Sequence, residues 1–330
     1  MSTLPNAAFS IALDCQLDNV PGTLGRLCAA IGEAGGNIGA LDGFDVRGPV
    51  LRRSLVVHCR NEEHQHAIVA AVQKLDGVTV LDWWDRTFRM HEAGKIEVIS
   101  TAPVNDRDDL SMAYTPGVAR ICTAIEKDPL LSHKYTIRKN TVAIVSNGTA
   151  VLGLGDIGPE GAMPVMEGKA LLFKEFGGVN GFPICINART ADEVVDFVQR
   201  IAPTFGGINL EDIKAPECFE IEERLRASLD IPVFHDDQHG TAVVTLAALW
   251  NSLKITGKKM EDLTVVIAGV GAAGVAIGKI LLNAGIGDVI GCDRVGAIYT
   301  GRGEMNSAKE WFAAHTNSSR KMGTISDVMK

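Results

Sequence analysis

The stretch Val233-Phe234-His235-Asp236-Asp237-Gln238-His239-Gly240-Thr241 joins an apolar run typical of a strand to an apolar run typical of a helix. Its two adjacent carboxylates, Asp236 and Asp237, repel each other when both approach one point. A cation, or a lysine beside one of them, would relieve that repulsion. Alternatively, the acids only cap the following helix. The partner that decides between these interpretations must come from elsewhere in the chain.

Composition limits the class of protein. A chain of 330 residues with 46% hydrophobic and 22% charged residues is typical of a globular protein with two or three domains. A net charge of −8 and a pI near 5.5, without a basic stripe, argue against a nucleic-acid partner. No apolar run approaches the roughly 20 residues of a membrane span, and the first eight residues lack a signal-peptide pattern. The seven scattered cysteines predict a reducing, cytoplasmic environment without a disulfide framework.

A second pair of acids precedes the first. Glu211 and Asp212 end a predicted strand, and the helical segment Cys218–Ser228 separates them from Asp236 and Asp237. The carboxyl ends of parallel strands face the ligand crevice of an α/β sheet, so two successive βα units would bring these acids side by side. Such a set of oxygen ligands predicts a site for a hard divalent cation, Mg²⁺ or Mn²⁺.

Histidines offer an alternative, because His235 and His239 are four residues apart and would share a helix face that could bind zinc. The strand before them and Gly240 after them indicate that the helix begins only after His239. Zinc is therefore the less favoured metal.

Two further residues are candidates for proton transfer. Lys169 lies in an apolar run, and burial lowers a lysine pKa and makes the amine a usable base. The alternative is a surface lysine whose stem packs on apolar neighbours. Tyr114 precedes Pro116-Gly117, a turn that can present its hydroxyl to a cleft, although a buried packing tyrosine is the ordinary alternative.

Two glycine runs match the G-x-G-x-x-G pattern of dinucleotide-binding turns. The first, Gly153–Gly158, is followed by Pro159 and Pro164, and the next helix is predicted only near Glu167. Since the pattern needs a helix to begin at once, this run is interpreted as a tight turn that lines a cleft. The second run fits the pattern, because it lies between a predicted strand and a predicted helix, and it contains Gly269, Gly271 and Gly274.

Asp293 follows at about the distance expected for a ribose-binding acid, roughly 20 residues. Its charge would repel a 2′-phosphate and favour NAD, whereas Arg294 beside it could accommodate NADP. A loop-rich segment is predicted after Tyr299. The second half of a doubly wound nucleotide domain is not found before Lys330, which predicts exposed apolar surface and weak stability or activity for this chain alone.

The N-terminal part shows the order βαββαβ, which predicts a ferredoxin-like unit. Its D-x-x-P-G-x-L turn at residues 18–24 and its helix exit at Gly35–Ile38 resemble an ACT domain. The resemblance implies a homo-oligomer and an amino-acid effector at Gly22, Asn37 and Ile38, where two copies meet. The alternative is that the unit only dimerises.

The remainder resembles malic enzyme of the short bacterial type. Five motifs carry the resemblance in order: SMAYTPG at 111–117, LGLGD at 152–156, EGK at 167–169, NLED at 209–212 and HDDQHGT at 235–241. Animal enzymes carry an arginine before the second motif, where this chain has Ala150. The substrate contact of that arginine therefore cannot be assigned to this chain. The resemblance implies an ACT-like domain at 1–90, an α/β catalytic domain at 91–253 and a partial Rossmann domain at 254–330.

The same resemblance implies oxidative decarboxylation of malate to pyruvate and CO₂ with NAD or NADP. In that case Tyr114 is the general acid, Lys169 is the general base, and Asp236 supports the lysine. The implied metal ligands are Glu211, Asp212 and Asp237. The rival hypothesis is a non-catalytic regulatory or assembly subunit, or a fragment of such an enzyme.

Overall fold

The computed structural model describes residues 4–303 and 305–330, except for the side chains of Phe44 and Arg47. The first three residues, which are part of the segment examined for a signal peptide, lie outside the described residues. The chain divides into two compact units, Met1–Glu97 and Val98–Lys330. In the described part of the chain, no helix is both long and apolar enough to cross a bilayer.

The first unit has the predicted ferredoxin-like order, followed by one short helix. Its elements are β1 (Asn6–Asp18), α1 (Thr23–Glu33), β2 (Asn37–Arg47), β3 (Val50–Cys59), α2 (Glu62–Gln73), β4 (Val78–Asp85) and α3 (Arg86–His91).

One antiparallel sheet, with strand order β2-β3-β1-β4, forms the centre of the first unit. Alternate residues of β1 point into the core, because side chains alternate between the two faces of a strand. The apolar faces of α1 and α2 cover that side of the sheet, and the fully buried residues include Ile11, Leu13, Leu17, Leu27, Ile31, Leu55, Val57, Ile68 and Val72. The predicted fold class is confirmed for this unit.

The second unit begins with short helices and continues as an alternation of strands and helices. Its elements are α4 (Arg107–Ala113), α5 (Val118–Lys127), α6 (Ser132–Tyr135), β5 (Thr141–Ser146), α7 (Gly158–Gly177), β6 (Asn180–Cys185), α8 (Ala191–Ile201), β7 (Gly207–Leu210), α9 (Glu217–Ser228), β8 (Val233–His235), α10 (Asp236–Thr256), β9 (Thr264–Ala268), α11 (Ala272–Asn283), β10 (Asp288–Asp293), β11 (Gly296–Ala297), α12 (Ser307–His315) and α13 (Ile325–Val328).

A parallel sheet with strand order β6-β5-β7-β8 positions the acids of the second unit. Leu210, the last residue of β7, pairs with His235, the last residue of β8. Glu211 and Asp236 therefore follow directly from neighbouring strand ends, as the sequence predicted. Apolar side chains of β5, β7, α8 and α9 form the core beneath, so the strand ends are held firmly.

Two helices begin earlier than the sequence predicted. Helix α7 begins at Gly158 rather than near Glu167. Pro159 occupies its first turn, where a backbone N–H has no acceptor within the helix, and so costs no hydrogen bond there. The helix also continues through Pro164. The interpretation of the preceding glycines as a tight turn is confirmed, because the Val151 N–H donates to the Gly155 carbonyl at 3.0 Å.

Helix α10 begins at Asp236, not after His239 as predicted. Both acids therefore lie in its first turn, where the partial positive charge of the helix N-terminus favours carboxylates. Part of its apolar surface is uncovered, since Val243, Val244 and Trp250 are exposed. Apolar composition around a helix does not reveal which side another part of the chain covers.

A second sheet carries the nucleotide-type turn. Strands β9 and β10 are parallel, and the short β11 pairs antiparallel with β10. The glycine run 269–274 connects β9 to α11, which is the predicted strand–turn–helix context. A Cβ at Gly274 would overlap the Gly269 carbonyl, so only glycine permits this close approach. The predicted loop-rich segment contains two helices among its described residues, the nine-residue α12 and the four-residue α13.

Candidate active site

Three carboxylates meet at the ends of β7 and β8. One ligand oxygen each from Glu211, Asp212 and Asp237 lies within 4.8 Å of the other two. Glu211 and Asp212 are buried, while Asp237 is half-buried. The three residues predicted as metal ligands are thus brought to one point by the sheet topology; we call this group the carboxylate cluster.

The electrostatics of the carboxylate cluster fit a divalent cation. Burial raises the pKa of Glu211 to about 7, and burial together with the Asp237 charge raises the pKa of Asp212 to about 6. The buried Oδ2 of Asp212 has no hydrogen-bond partner among the described residues. Buried acceptors of this kind are normally satisfied, so a cation that binds oxygen is the natural partner.

The backbone at Asp212 is strained. Its φ of +52° lies in the left-handed region, which costs a residue with a side chain free energy and is found most often at functional sites. The Asp212 carbonyl accepts a hydrogen bond from the Ala150 N–H at 3.0 Å, which holds this conformation. In this conformation the Asp212 carboxylate lies beside those of Glu211 and Asp237, immediately after β7.

Lys169 lies between two of the acids. Its Nζ is 2.7 Å from Oδ2 of Asp236 and 3.1 Å from Oε1 of Glu211. The lysine side chain is 21% exposed, so most of it is shielded from water. Helix α7 supplies the lysine, while the ends of β7 and β8 supply the acids. The two adjacent carboxylates of the opening stretch therefore have different neighbours: Asp236 contacts Lys169, and Asp237 lies in the carboxylate cluster.

The prediction of a lowered lysine pKa is wrong for the chain as described. Burial lowers the pKa of Lys169, but the hydrogen bond with Asp236 and the charges of Glu211 and Asp236 outweigh it, and the pKa is raised. The pKa prediction used only the apolar neighbours of Lys169 along the helix, although the family resemblance already implied Asp236 as its partner. The two acids that reverse the shift are supplied by distant strands.

The fold of this chain does not bring Tyr114 to Lys169 or to the carboxylate cluster. This tyrosine directly follows α4 and is 69% exposed. Among the described residues, no hydrogen bond joins its hydroxyl to Lys169 or to the carboxylate cluster. Its position at an exposed turn agrees with the predicted turn, and its role as general acid stays a prediction.

The nucleotide-type turn borders a cavity of about 700 Å³, lined among others by Gly269, Gly271, Asp293, Arg294 and Lys309. Asp293 is not free in this cavity. Its Oδ2 accepts hydrogen bonds from Arg302 at 2.6 Å and Lys309 at 2.8 Å, and these bonds, against the effect of burial, lower its pKa. Because two cations compensate its charge, the repulsion of a 2′-phosphate, on which the NAD preference rested, is smaller than the sequence indicated.

The two histidines beside the acids do not join a metal-ligand group in the described part of the chain. His235 is fully buried, and burial lowers its pKa. His239 Nε2 lies 2.7 Å from Oε1 of Glu222. The early start of α10 removes the original argument against zinc, but the carboxylate cluster does not include either imidazole.

Sequence reasoning missed two residues that contact this site. Asn209, fully buried in β7, donates from Nδ2 to Oε2 of Glu211 at 2.8 Å. Glu222 on α9 accepts a hydrogen bond from the backbone N–H of His235 at 3.1 Å. Both have a signal in the sequence, because each is a polar residue where the pattern of its strand or helix predicts a core position.

Fold and site together define a class: an α/β protein with an acid-and-lysine site on a parallel sheet and a unit of the dinucleotide-binding type. Residues 93–226 match the profile of the malic enzyme N-terminal domain, and residues 238–330 match that of the malic enzyme NAD-binding domain. Residues 11–77 match the ACT domain profile. The chain belongs to the malic enzyme family, with an ACT domain at its N-terminus.

Similar proteins agree with this assignment. The chain is 53% identical to the NAD-dependent malic enzyme of Geobacillus stearothermophilus, over 98% of this chain and 68% of the relative. It is 53% identical to the NADP-dependent malic enzyme of Haemophilus influenzae, over 69% of this chain but 31% of the relative. The crystal structure of the NAD-dependent malic enzyme of Thermotoga maritima matches with a TM-score of 0.71 and 47% identity, covering 73% of this chain and 65% of that chain.

Proposed function

We propose that this chain carries the site for oxidative decarboxylation of malate to pyruvate and CO₂ with reduction of NAD or NADP, dependent on Mg²⁺ or Mn²⁺. One observation carries the proposal: Lys169 Nζ lies within 3.1 Å of Glu211, which is itself a member of the carboxylate cluster. A proton acceptor and a cation site are therefore adjacent. The family assignment supplies the substrate, and the names of the relatives include both nucleotides.

Glu211, Asp212 and Asp237 would hold the cation, and the turn at 269–274 would hold the nucleotide. When bound, the cation would polarise the C2 oxygen of malate, and the nicotinamide would accept the C2 hydride. Lys169 takes the proton of the C2 hydroxyl as the hydride leaves. Asp236 orients the lysine. Tyr114 protonates C3 of the three-carbon enolate that remains after CO₂ departs.

The charge of Lys169 is linked to cation binding in this proposal. Glu211 and Asp236 keep the lysine protonated in the described chain, whereas a base must be neutral. Because Glu211 belongs to both groups, occupancy of the carboxylate cluster compensates one of the two charges that raise the lysine pKa. The shared carboxylate thus supports assignment of the base to Lys169.

The direct test is formation of NADH or NADPH from malate in the presence of Mn²⁺, with NAD and NADP in parallel. We expect activity with at least one nucleotide and its loss when the metal is chelated. Chain that binds Mn²⁺ and nucleotide but reduces neither nucleotide would support the rival hypothesis of a regulatory or assembly subunit.

The Tyr114 assignment has its own test. Tyr114→Phe should impair pyruvate formation more than reduction of oxaloacetate, because only the first reaction needs a proton at C3. Tyr135→Phe, on another exposed tyrosine of the same unit, is the matched control. Equal losses in both reactions would remove Tyr114 from the role.

We further propose that the ACT domain binds an amino acid and that the chain forms homo-oligomers. Gly22, with φ of +94°, directly precedes α1, and Asn37 begins β2, at the backbone positions implied for a ligand. The second unit exposes large apolar side chains that a further copy could cover, including Leu110, Met112, Ile121 and Ile137. Calorimetry with common amino acids and sedimentation analysis test the two proposals separately.

A further inference from the structure

Glu222 is a buried acid that the proposed chemistry does not use. It lies on the core side of α9, beside the buried Cys218, Ile221 and Leu225, and its side chain is 8% exposed. A carboxylate is costly to bury unless polar partners compensate its charge. Its position in an otherwise apolar helix face therefore requires an explanation.

The two residues that contact Glu222 flank the acids of the candidate site in the sequence. His235 precedes Asp236 and Asp237, and His239 follows them. Oε1 accepts a hydrogen bond from the backbone N–H of His235 at 3.1 Å. Nε2 of His239 lies 2.7 Å from the same oxygen, without the geometry of a hydrogen bond. Asp236 and Asp237 are the next two residues after His235 and precede His239 by less than one helical turn. One carboxylate oxygen thus binds the backbone before the two acids and contacts the side chain of His239 after them.

We propose that Glu222 is a positioning residue that fixes the junction of β8 and α10, so that Asp237 reaches the carboxylate cluster and Asp236 reaches Lys169. Without Glu222, the first turn of α10 is free to shift or fray, because its N-cap residue, His235, makes no side-chain capping bond. Residues that orient metal ligands in this way typically change metal affinity about 10- to 100-fold when removed.

The proposal rests on the proposed metal site but not on turnover, and its test uses Mn²⁺ alone. Mn²⁺ binding to the full chain is measured by the decrease of the free-ion signal in electron paramagnetic resonance. Glu222→Leu, which removes both contacts, should weaken binding about tenfold or more. Glu222→Gln keeps an oxygen that accepts from the His235 N–H and should restore most of the affinity. A purely structural role predicts lower thermal stability in Glu222→Leu with unchanged Mn²⁺ affinity of the folded protein.

Glu223→Leu is the matched control, since Glu223 is the exposed neighbour of Glu222 on α9. Equal affinity in Glu222→Leu and Glu223→Leu overturns the positioning role and leaves the metal site intact. Absence of Mn²⁺ binding in the unsubstituted chain overturns the metal site and the positioning role together. If Glu222→Leu does not fold, His239→Leu replaces it, and unchanged Mn²⁺ affinity there also overturns the proposal.

In an activity assay, the apparent KM for Mn²⁺ should rise in Glu222→Leu, and kcat at saturating Mn²⁺ should also fall, because Asp236 no longer holds Lys169. A lower kcat with unchanged metal KM contradicts positioning of a metal ligand.

Discussion

The second unit contains two acidic sites whose charges are balanced in opposite ways. At the carboxylate cluster, Lys169 forms ion pairs with Glu211 and with the adjacent Asp236, and burial raises the pKa of Glu211 and of Asp212. At the nucleotide-type turn, a single acid, Asp293, has two cations, Arg302 and Lys309, and its pKa is lowered.

This difference indicates which of the two sites requires a bound ion to balance its charge. An excess of buried negative charge is unstable in a low-dielectric environment, so the carboxylate cluster favours an added cation. Asp293 is compensated inside the chain and stabilises the loop and α12 around it. Asp293, at the position predicted to bind the ribose, therefore already forms ion pairs within the chain. Its position in the sequence alone does not reveal these ion pairs.

The largest effect should follow from removing Lys169, the lysine that contacts Glu211 and Asp236. Lys169→Met should lower the rate of malate oxidation roughly a thousandfold, because a positioned general base typically contributes 10²–10⁴-fold. The measurement is steady-state NADH or NADPH formation at saturating Mn²⁺. Lys174→Met, on an exposed lysine of the same helix, is the control and should keep activity within about twofold. Loss of less than tenfold in Lys169→Met would exclude the lysine as base.

The contrast between the two sites also shows what could be predicted from the sequence. Glu211, Asp212 and Asp237 were predicted to meet because each follows a strand, and the ends of parallel strands share one edge. That inference needs only local patterns and one topological rule. The turn at 269–274 was predicted for the same reason, since its strand and helix are both local.

The partners of these residues could not be predicted in the same way. Arg302 lies in a loop and Lys309 on the unpredicted α12, so no spacing rule connects them to Asp293. Likewise, nothing near Glu222 in the chain indicates His235 and His239 as neighbours. Such contacts depend on how helices pack across the sheet. The errors at the starts of α7 and α10 are different. Pro159 and Gly240 were taken as helix breakers, although Pro159 fits the first turn of α7 and Gly240 is accommodated as the fifth residue of α10.

An intermediate effect is expected from removing one of the two cations that pair with Asp293. Arg302→Met removes one of two partly buried cations from Asp293, and Lys309 remains. A hydrogen bond to a charged group contributes about 1.5–3 kcal/mol, so a loss of about 2 kcal/mol of unfolding free energy is expected. Urea unfolding measures it, and Arg294→Met, on the exposed neighbouring arginine, should change stability by less than about 0.5 kcal/mol.

The pH dependence of that effect has a definite sign. The folded-state pKa of Asp293 is lowered, so its contribution to stability is present above the unfolded value of about 3.9 and is lost as the pH falls through the lower folded pKa. The stability difference between Arg302→Met and the unsubstituted chain should therefore shrink below about pH 4. A difference that grows in acid would contradict the ion-pair account of Asp293.

The smallest expected effect concerns Mg²⁺ at the carboxylate cluster. The pKa values of Glu211 and Asp212 are raised, so the metal-free folded chain binds more protons than the unfolded chain, and its stability falls as the pH rises from about 4 to about 7. Protons and Mg²⁺ compete for the same oxygens.

At ten times its Kd, Mg²⁺ adds about 1.4 kcal/mol to the free energy of unfolding by mass action. At one fixed Mg²⁺ concentration, the increase in Tm should thus be larger at about pH 8 than at about pH 5. Asp237→Asn should lose most of this increase, because one of the three ligands loses its charge. An equal increase at both pH values would place Mg²⁺ binding outside the carboxylate cluster.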